Sequence, residues 1–294
     1  YIAYLNKVKN YFFGSVRAAT QVVHTIKEDG SGDYTTLASW EAGTQRDLVA
    51  ADEIEIAQID GTWTSPDTTA VTIDGWTTDA DHYIRIYTTE TARHNGKWDE
   101  SKYRLEIAGD AIKIKEGNVR IEGLQVKVED PGSEARAFFY SYVPAGEQRL
   151  SYCIAKYVDP NNYNSSCMAV RFYGTEITPD PDITFKVWNN IFYDFPSYTF
   201  FIQDYRTTNT TVYLYNNTVH SYYHGYRIEG GICIAKNNIA QNPTSEYSSG
   251  FSGNFDDSSD YNISDSGDVP GSNSKTCTVS FIDEANDDFH LASN

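Results

Sequence analysis

The residues best suited to chemistry in this 294-residue chain lie close together near position 225. They are His220, Tyr222, Tyr223, His224, Tyr226, Arg227 and Glu229. A histidine can take up or give a proton near neutral pH. An arginine can neutralise a carboxylate with a planar fork of donors. A base and a cation are what a lyase needs to remove the α-proton of an acidic sugar. His220, His224, Arg227 and Glu229 are therefore the catalytic candidates. Tyr222, Tyr223 and Tyr226 are candidate platforms for stacking sugar rings. The plainer explanation is a Tyr-rich exterior, because the chain carries 23 tyrosines throughout.

A second cluster is Asn254-Phe255-Asp256-Asp257-Ser258-Ser259-Asp260-Tyr261-Asn262. Calcium takes about six to eight oxygen ligands, so Asp256, Asp257 and Asp260 are candidate ligands. Their spacing does not match an EF-hand loop, and a solvated acidic turn is the simpler reading. Calcium is the one cofactor with any candidate residues. The four cysteines, Cys153, Cys167, Cys233 and Cys277, form no Cys-x-x-Cys pair and no zinc spacing. Cys153 and Cys233 sit in apolar runs and read as buried thiols rather than disulfide partners. Asn-x-Ser/Thr patterns at Asn164, Asn209, Asn216 and Asn262 are about as many as this composition gives by chance. The chain holds no phosphate loop, dinucleotide fingerprint, Gly-x-Ser-x-Gly elbow or His-Glu-x-x-His.

The elements that must hold these residues are short strands. Tyr, Phe, Val, Ile and Thr favour strands, and Asn, Asp, Gly and Ser favour turns. Apolar and polar residues alternate in Glu53–Gly61, His82–Tyr87, Tyr103–Ile107 and Val119–Val126. A frame then repeats. Trp188-Asn189-Asn190-Ile191 is echoed by Tyr215-Asn216-Asn217-Thr218, Lys236-Asn237-Asn238-Ile239 and, more weakly, Tyr261-Asn262-Ile263. Gly123 and Cys153 fit the place of the second Asn in earlier copies. Further strand-like runs lie between the markers. Strand repeats of uneven length imply a solenoid. One coil cannot bury its own apolar face, whereas stacked coils bury a continuous core. Asn190, Asn217, Asn238 and Asn262 would then form a ladder whose amides satisfy one another.

The ends differ. Ile2, Leu5, Val8 and Phe12 recur at helical spacing, so residues 1–23 read as an N-terminal helical arm and 24–294 as the repeat domain. The arm either packs on the end of the domain or docks it to another subunit. The chain begins at Tyr1 and stops soon after Phe289-His290-Leu291, as a piece of something longer would. Tyr34–Leu48 reads as a short helix.

Two features resemble the right-handed parallel β-helix proteins, the broad pectate-lyase-like superfamily. Asp29-Gly30-Ser31-Gly32-Asp33-Tyr34-Thr35-Thr36-Leu37 is similar to the opening of pectin methylesterases, where it caps the first coil. The Asn-Asn-Ile strands, with Phe281-Ile282-Asp283 and Asp288-Phe289-His290-Leu291, resemble the tail of bacterial and phage β-helix repeat proteins. The resemblance covers about residues 24–294, leaves the N-terminal arm outside it, and implies an all-β right-handed parallel β-helix solenoid with a cap helix. No catalytic set of the superfamily transfers. The Gly-rich Asp-Phe motif of pectin methylesterases is missing, Asp194-Phe195 being the nearest dipeptide. The Arg-x-Pro-x-x-Arg of pectate lyases and the Asn-x-Asp and Gly-His-Gly of polygalacturonases are missing as well.

A formal charge of −18 repels phosphate backbones and argues against nucleic acid. No apolar run is long enough to span a bilayer. The resemblance to bacterial and phage β-helix proteins, with no catalytic set transferring, implies a structural or binding β-helix, extracellular, on a cell surface or in a virion. Its expected partners are other subunits and a polysaccharide. The alternative is a polysaccharide lyase or glycoside hydrolase acting on an acidic polysaccharide.

Overall fold

The computed structural model describes residues 18–141, 143–159, 166–174, 182–204 and 210–293. The arm positions Ile2, Leu5, Val8 and Phe12 lie outside these residues, as do Asn164 and Asn209. The described chain is all-β apart from short helices, and its strands form three columns. The first holds Thr20–Ile26, Glu53–Ile59, Ile84–Thr88, Val119–Glu122, Gly146–Ser151, Ile183–Trp188 and Thr210–Tyr215. It ends in the second half of the long strand His224–Lys236. The second runs from Val71–Ile73 through Ile112–Ile114, Arg136–Ser141, Met168–Tyr173 and Tyr198–Gln203. It continues through the first half of His224–Lys236 to Ser249–Phe255. The third starts with Arg104–Ala108, Gln125–Glu129, Ile154–Val158 and Ile191–Tyr193. Thr218–Tyr222, Ile239–Pro243, Ile263–Ser264 and Lys275–Thr276 complete it. The chain visits the columns in rotation, and pairing within each is parallel. Parallel strands in stacked sheets of this kind are compatible with a parallel β-helix.

Alternation explains the registers. Ala57, Ile86, Ile121, Leu150, Val187, Leu214 and Ala235 pair in turn along the first column. Val71, Ile112, Phe138, Val170, Phe200, Tyr226 and Phe251 do the same in the second. All are buried. Each of the larger side chains contributes about 1.5–3 kcal/mol by leaving water. In His224–Lys236 the corner between two columns is made by Gly230 and Gly231, both at positive φ. A Cβ on Gly230 would lie 1.7 Å from the Asp204 carbonyl oxygen, so only glycine fits there.

The corner between the first and third columns carries the Asn frame. Its first residue is left-handed at Tyr152, Asn189, Asn216, Asn237 and Tyr261, with φ between 54° and 59°. Asparagine tolerates that conformation best among non-glycine residues. The second residue faces inward. Asn190 Nδ2 donates to Asn217 Oδ1 at 2.9 Å, Asn217 Nδ2 to Asn238 Oδ1 at 3.0 Å, and Asn238 Nδ2 to Asn262 Oδ1 at 3.0 Å. The placement of Gly123 needs correction. Ser151 pairs with Glu122, so Gly123, at φ +79°, matches left-handed Tyr152. Leu124, not Gly123, stands at the ladder position beside Cys153.

The first coil is closed by two helices rather than the single helix expected over 34–48. Helix α1 spans Leu37–Thr44, with Thr36 as a reciprocal N-cap with Ser39. Helix α2 spans Leu48–Ala51, with Asp47 accepting from Ala50 N. The new cap at Asp47 interrupts the first helix. Trp40 of α1 stacks on Trp76, ring centres 5.9 Å apart. Its indole N–H donates to buried Glu55 at 2.7 Å. Strand Thr20–Ile26 begins inside the stretch assigned to the arm. At the other end, Phe281–Asp283 and Asp288–Leu291 form an antiparallel hairpin outside the columns.

Candidate functional site

His220 lies on the outer side of the third column, where Lys156, Tyr193, His220 and Gln241 pair in register. An outward stripe here is apolar, formed by Ile154, Ile191 and Ile239 with Tyr193. The C-terminal hairpin covers it. Phe281 and Phe289 pack on His220 with ring centres 5.8 Å and 4.9 Å away. Lys156 Nζ reaches Asp287 Oδ2 at 3.1 Å. His220 is 5% exposed. Burial lowers its pKa, and nearby Glu284 only partly offsets this. Nε2 lies 3.3 Å from Glu284 Oε2 but without hydrogen-bond geometry.

His224 and Arg227 stand on the second column instead. His224 Nδ1 meets Ser249 Oγ at 3.0 Å, and its ring stacks on Tyr198. Arg227 Nε donates to Glu229 Oε1 at 2.7 Å, and the guanidinium lies over the Tyr198 ring. The candidates thus divide into two groups on different columns. Glu229 neutralises Arg227, and His220 is covered. Of the proposed stacking tyrosines, Tyr222 and Tyr226 are buried at 0% and 1% exposure, so neither offers a ring face to a glycan. Both belong to the inner core, Tyr222 because Ser221 at positive φ breaks the alternation that leaves His220 outside. Tyr223, between them, is exposed.

Asp256, Asp257 and Asp260 do not gather as ligands. Among the described residues no group of three His, Cys, Asp or Glu side chains is placed to hold a metal ion. Asp256 accepts from Ser258 N, and Asp260 accepts from Tyr261 N and from both the backbone and side chain of Asn273. These are turn-fixing bonds. They hold both carboxyls below their ordinary values. Cys153, Cys167 and Cys233 are buried free thiols, and Cys277 is exposed.

The structure adds residues that the sequence did not mark. A groove of about 740 Å³ opens beside the hairpin, lined by Asp194, Ser197, Ser221, Tyr223 and Thr244 among others. Asp194 and Ser221 both have positive φ, 66° and 49°. Asp194 is exposed on the groove's side; protein packed behind it desolvates its carboxyl and, with Asp287 nearby, raises the pKa, while Ser221 moderates the rise. Ser221 Oγ is 3.1 Å from His220 Nδ1. The lining comes from separate segments at 166, 194–197, 221–223 and 244–245, and no spacing rule in the sequence brings these together. No protein-family model, no curated protein and no solved structure matches the chain.

Proposed function

We propose that this chain is a right-handed parallel β-helix of the pectate-lyase-like kind, serving as a binding scaffold in an extracellular or virion assembly. The observation that carries this reading is the division of the catalytic candidates. His220 lies under the hairpin and Arg227 is spent on Glu229, so these candidates do not set a base and a free cation before one substrate. What remains is a rigid column with a closed N-terminal end, suited to presenting its outer faces to glycans or neighbouring subunits. The test has two arms. Sedimentation and electron microscopy of the purified protein should reveal ordered oligomers, or glycan arrays should show retention. Incubation with uronate polysaccharides should give no absorbance from new double bonds. A monomer that binds no glycan, or steady growth of that absorbance, overturns the proposal.

One observation favours a second reading as a glycoside hydrolase. Asp194 lines the open groove with a raised pKa, as a general acid needs. Glycosidases of this kind use two flanking carboxyl groups, and Asp194 is the one carboxylate among the groove's described lining residues. Release of reducing sugar that disappears in Asp194→Asn would support this second reading.

A further inference from the structure

The outer side of the first column carries a row of cations that the acidic composition conceals. Arg85, Arg120, Arg149 and Lys186 pair with one another on four successive strands. Paired strands lie about 4.8 Å apart, so these side chains are neighbours. Their neutralisation is uneven. Glu122 accepts from Arg85 at 2.9 Å and from Arg93 at 2.8 Å. Glu147 pairs with both Arg149 and Lys186. Four cations therefore share two carboxylates, and a fifth, Arg120, stands among them, in a protein of net charge −18.

Arg120, in the middle, makes no ion pair among the described residues. Its guanidinium lies over the Tyr83 ring, 3.3 Å from the centre. Partial burial, with Arg149 and Arg85 alongside, lowers its pKa. Tyr83, Arg85, Arg120, Arg149, Ser151 and Trp188 line one cleft of about 200 Å³, together with the Glu122 carboxylate that Arg85 and Arg93 neutralise. An unneutralised guanidinium held between two others is unfavourable unless an anion joins it. We propose that this cleft binds a sulfate ester on a carbohydrate. Arg120 offers its whole fork, and Arg85 and Arg149, each held on one side by Glu122 or Glu147, keep a further N–H apiece, which together suit the three terminal oxygens of a sulfate ester. A single arginine fork would satisfy a carboxylate. Trp188 is two strands beyond Arg120 and two residues further along, roughly 12 Å by strand spacing and rise. Its half-exposed ring is placed to stack on a neighbouring sugar rather than on the sulfated one. The acidic remainder of the surface disfavours long polyanions, so recognition is confined to this cleft.

The proposal rests on the binding reading above but not on assembly, and titration calorimetry separates the two. The probes are a sulfated galactan oligosaccharide, an unsulfated one, an oligogalacturonate and inorganic sulfate. The sulfated oligosaccharide should bind, and the unsulfated and uronate ones should bind at least about tenfold more weakly. Arg120→Gln should weaken binding by about 10- to 100-fold, the loss of a charge-assisted contact. Trp188→Ala should weaken the oligosaccharide several-fold and leave inorganic sulfate unchanged. Arg120 and Trp188 are half-exposed, and an unchanged circular dichroism melt would exclude misfolding. If the melt moves, Arg120→Lys, which keeps the charge and loses the fork, replaces it and should still weaken binding. Equal binding of the uronate probe, wild-type affinity in the Arg120 variants, or no binding of the sulfated probe overturns the proposal. Ordered oligomers that ignore the sulfated probe would sink this site while leaving the scaffold role intact.

Discussion

Asn217 shows how one side chain ties three coils together. Its Nδ2 donates to the Val187 carbonyl and to Asn238 Oδ1, both at 3.0 Å. Its Oδ1 accepts from the backbone and side chain of Asn190. Every one of these groups is buried, so removing the amide leaves unsatisfied partners on both sides. Asn217→Ala should therefore destabilise the protein by about 2–4 kcal/mol, measured by urea unfolding. Asn216→Ala, one residue earlier and exposed, removes no buried bond but sets alanine at a left-handed position, and should cost only about 1 kcal/mol. Asn262 is fully buried, so its Asn-x-Ser pattern should carry no glycan. His94 gives a pH dependence at the same scale. It is 8% exposed, with Nε2 donating to the Tyr152 carbonyl at 2.8 Å and Nδ1 accepting from Gly96 N. Burial lowers its pKa to about 4. Above pH about 6.5 the imidazole is neutral in both states, and its contribution is complete. As pH falls towards 4, the unfolded chain takes up a proton that folded His94 refuses, and stability is lost. One pKa unit is worth about 1.4 kcal/mol, so the full loss is on the order of 3 kcal/mol. Urea melts from pH 7 to 4 should show it, and His94→Gln should flatten the difference. An equal decline in His94→Gln would assign the effect to other groups.

At the scale of elements, sequence and structure agree wherever a repeat makes its own argument. The Asn-Asn frame was legible because one chemistry recurs at one corner. Gly123 was misplaced by one residue because glycine suits the left-handed position as well as Asn189 or Asn216 does, and its own register was invisible. The pattern over 34–48 looks like one helix because the cap at Asp47 lies inside an otherwise helical run. Tyr222 and Tyr226 look like surface residues in the sequence because the strand period does not say which face is inward, nor does it show the break at Ser221. The hairpin at 281–291 was the least legible element. Its residues suggested a tail motif, but its place over His220 depends on the apolar outer stripe of Ile154, Ile191 and Ile239, drawn from three coils. That packing makes a prediction. Phe289 touches both Tyr193 and His220, so Phe289→Ala should loosen the hairpin without opening the columns. The expected cost is about 2–4 kcal/mol, less than a fully buried phenylalanine. Amide exchange should quicken over 281–291 and stay unchanged around Asn217. Burial is what depresses His220, so its pKa should rise towards the ordinary value in the variant, as read by NMR titration. An unmoved pKa would mean that something other than the hairpin desolvates it.

Across the whole molecule, each coil bonds chiefly to the coils before and after it, so stability should accumulate along the column rather than from one centre. Interior strands are held on both edges. Ile183–Trp188 pairs with Gly146–Ser151 and with Thr210–Tyr215. The two ends are not equivalent. Thr20–Ile26 pairs only with Glu53–Ile59 among the described strands, but α1 packs over this end and buries Leu37 and Trp40. Ser249–Phe255 likewise pairs on one edge, with His224–Lys236, and its register shifts between Ile228 and Cys233. It also contains Gly250 and Gly253, which add backbone freedom to the unfolded state. Local opening should therefore be easiest there. Native-state hydrogen exchange is expected to rank the amides of 183–188 and 210–215 slowest, those of 20–26 intermediate and those of 249–255 fastest. A destabilising change in the middle, such as Asn217→Ala, should lower protection most in the coils bonded to it and progressively less towards 20–26. If all strands instead exchanged at one common rate and shifted together in that variant, the column would open as a single unit. Nearest-neighbour bonding would then not describe how this chain holds together.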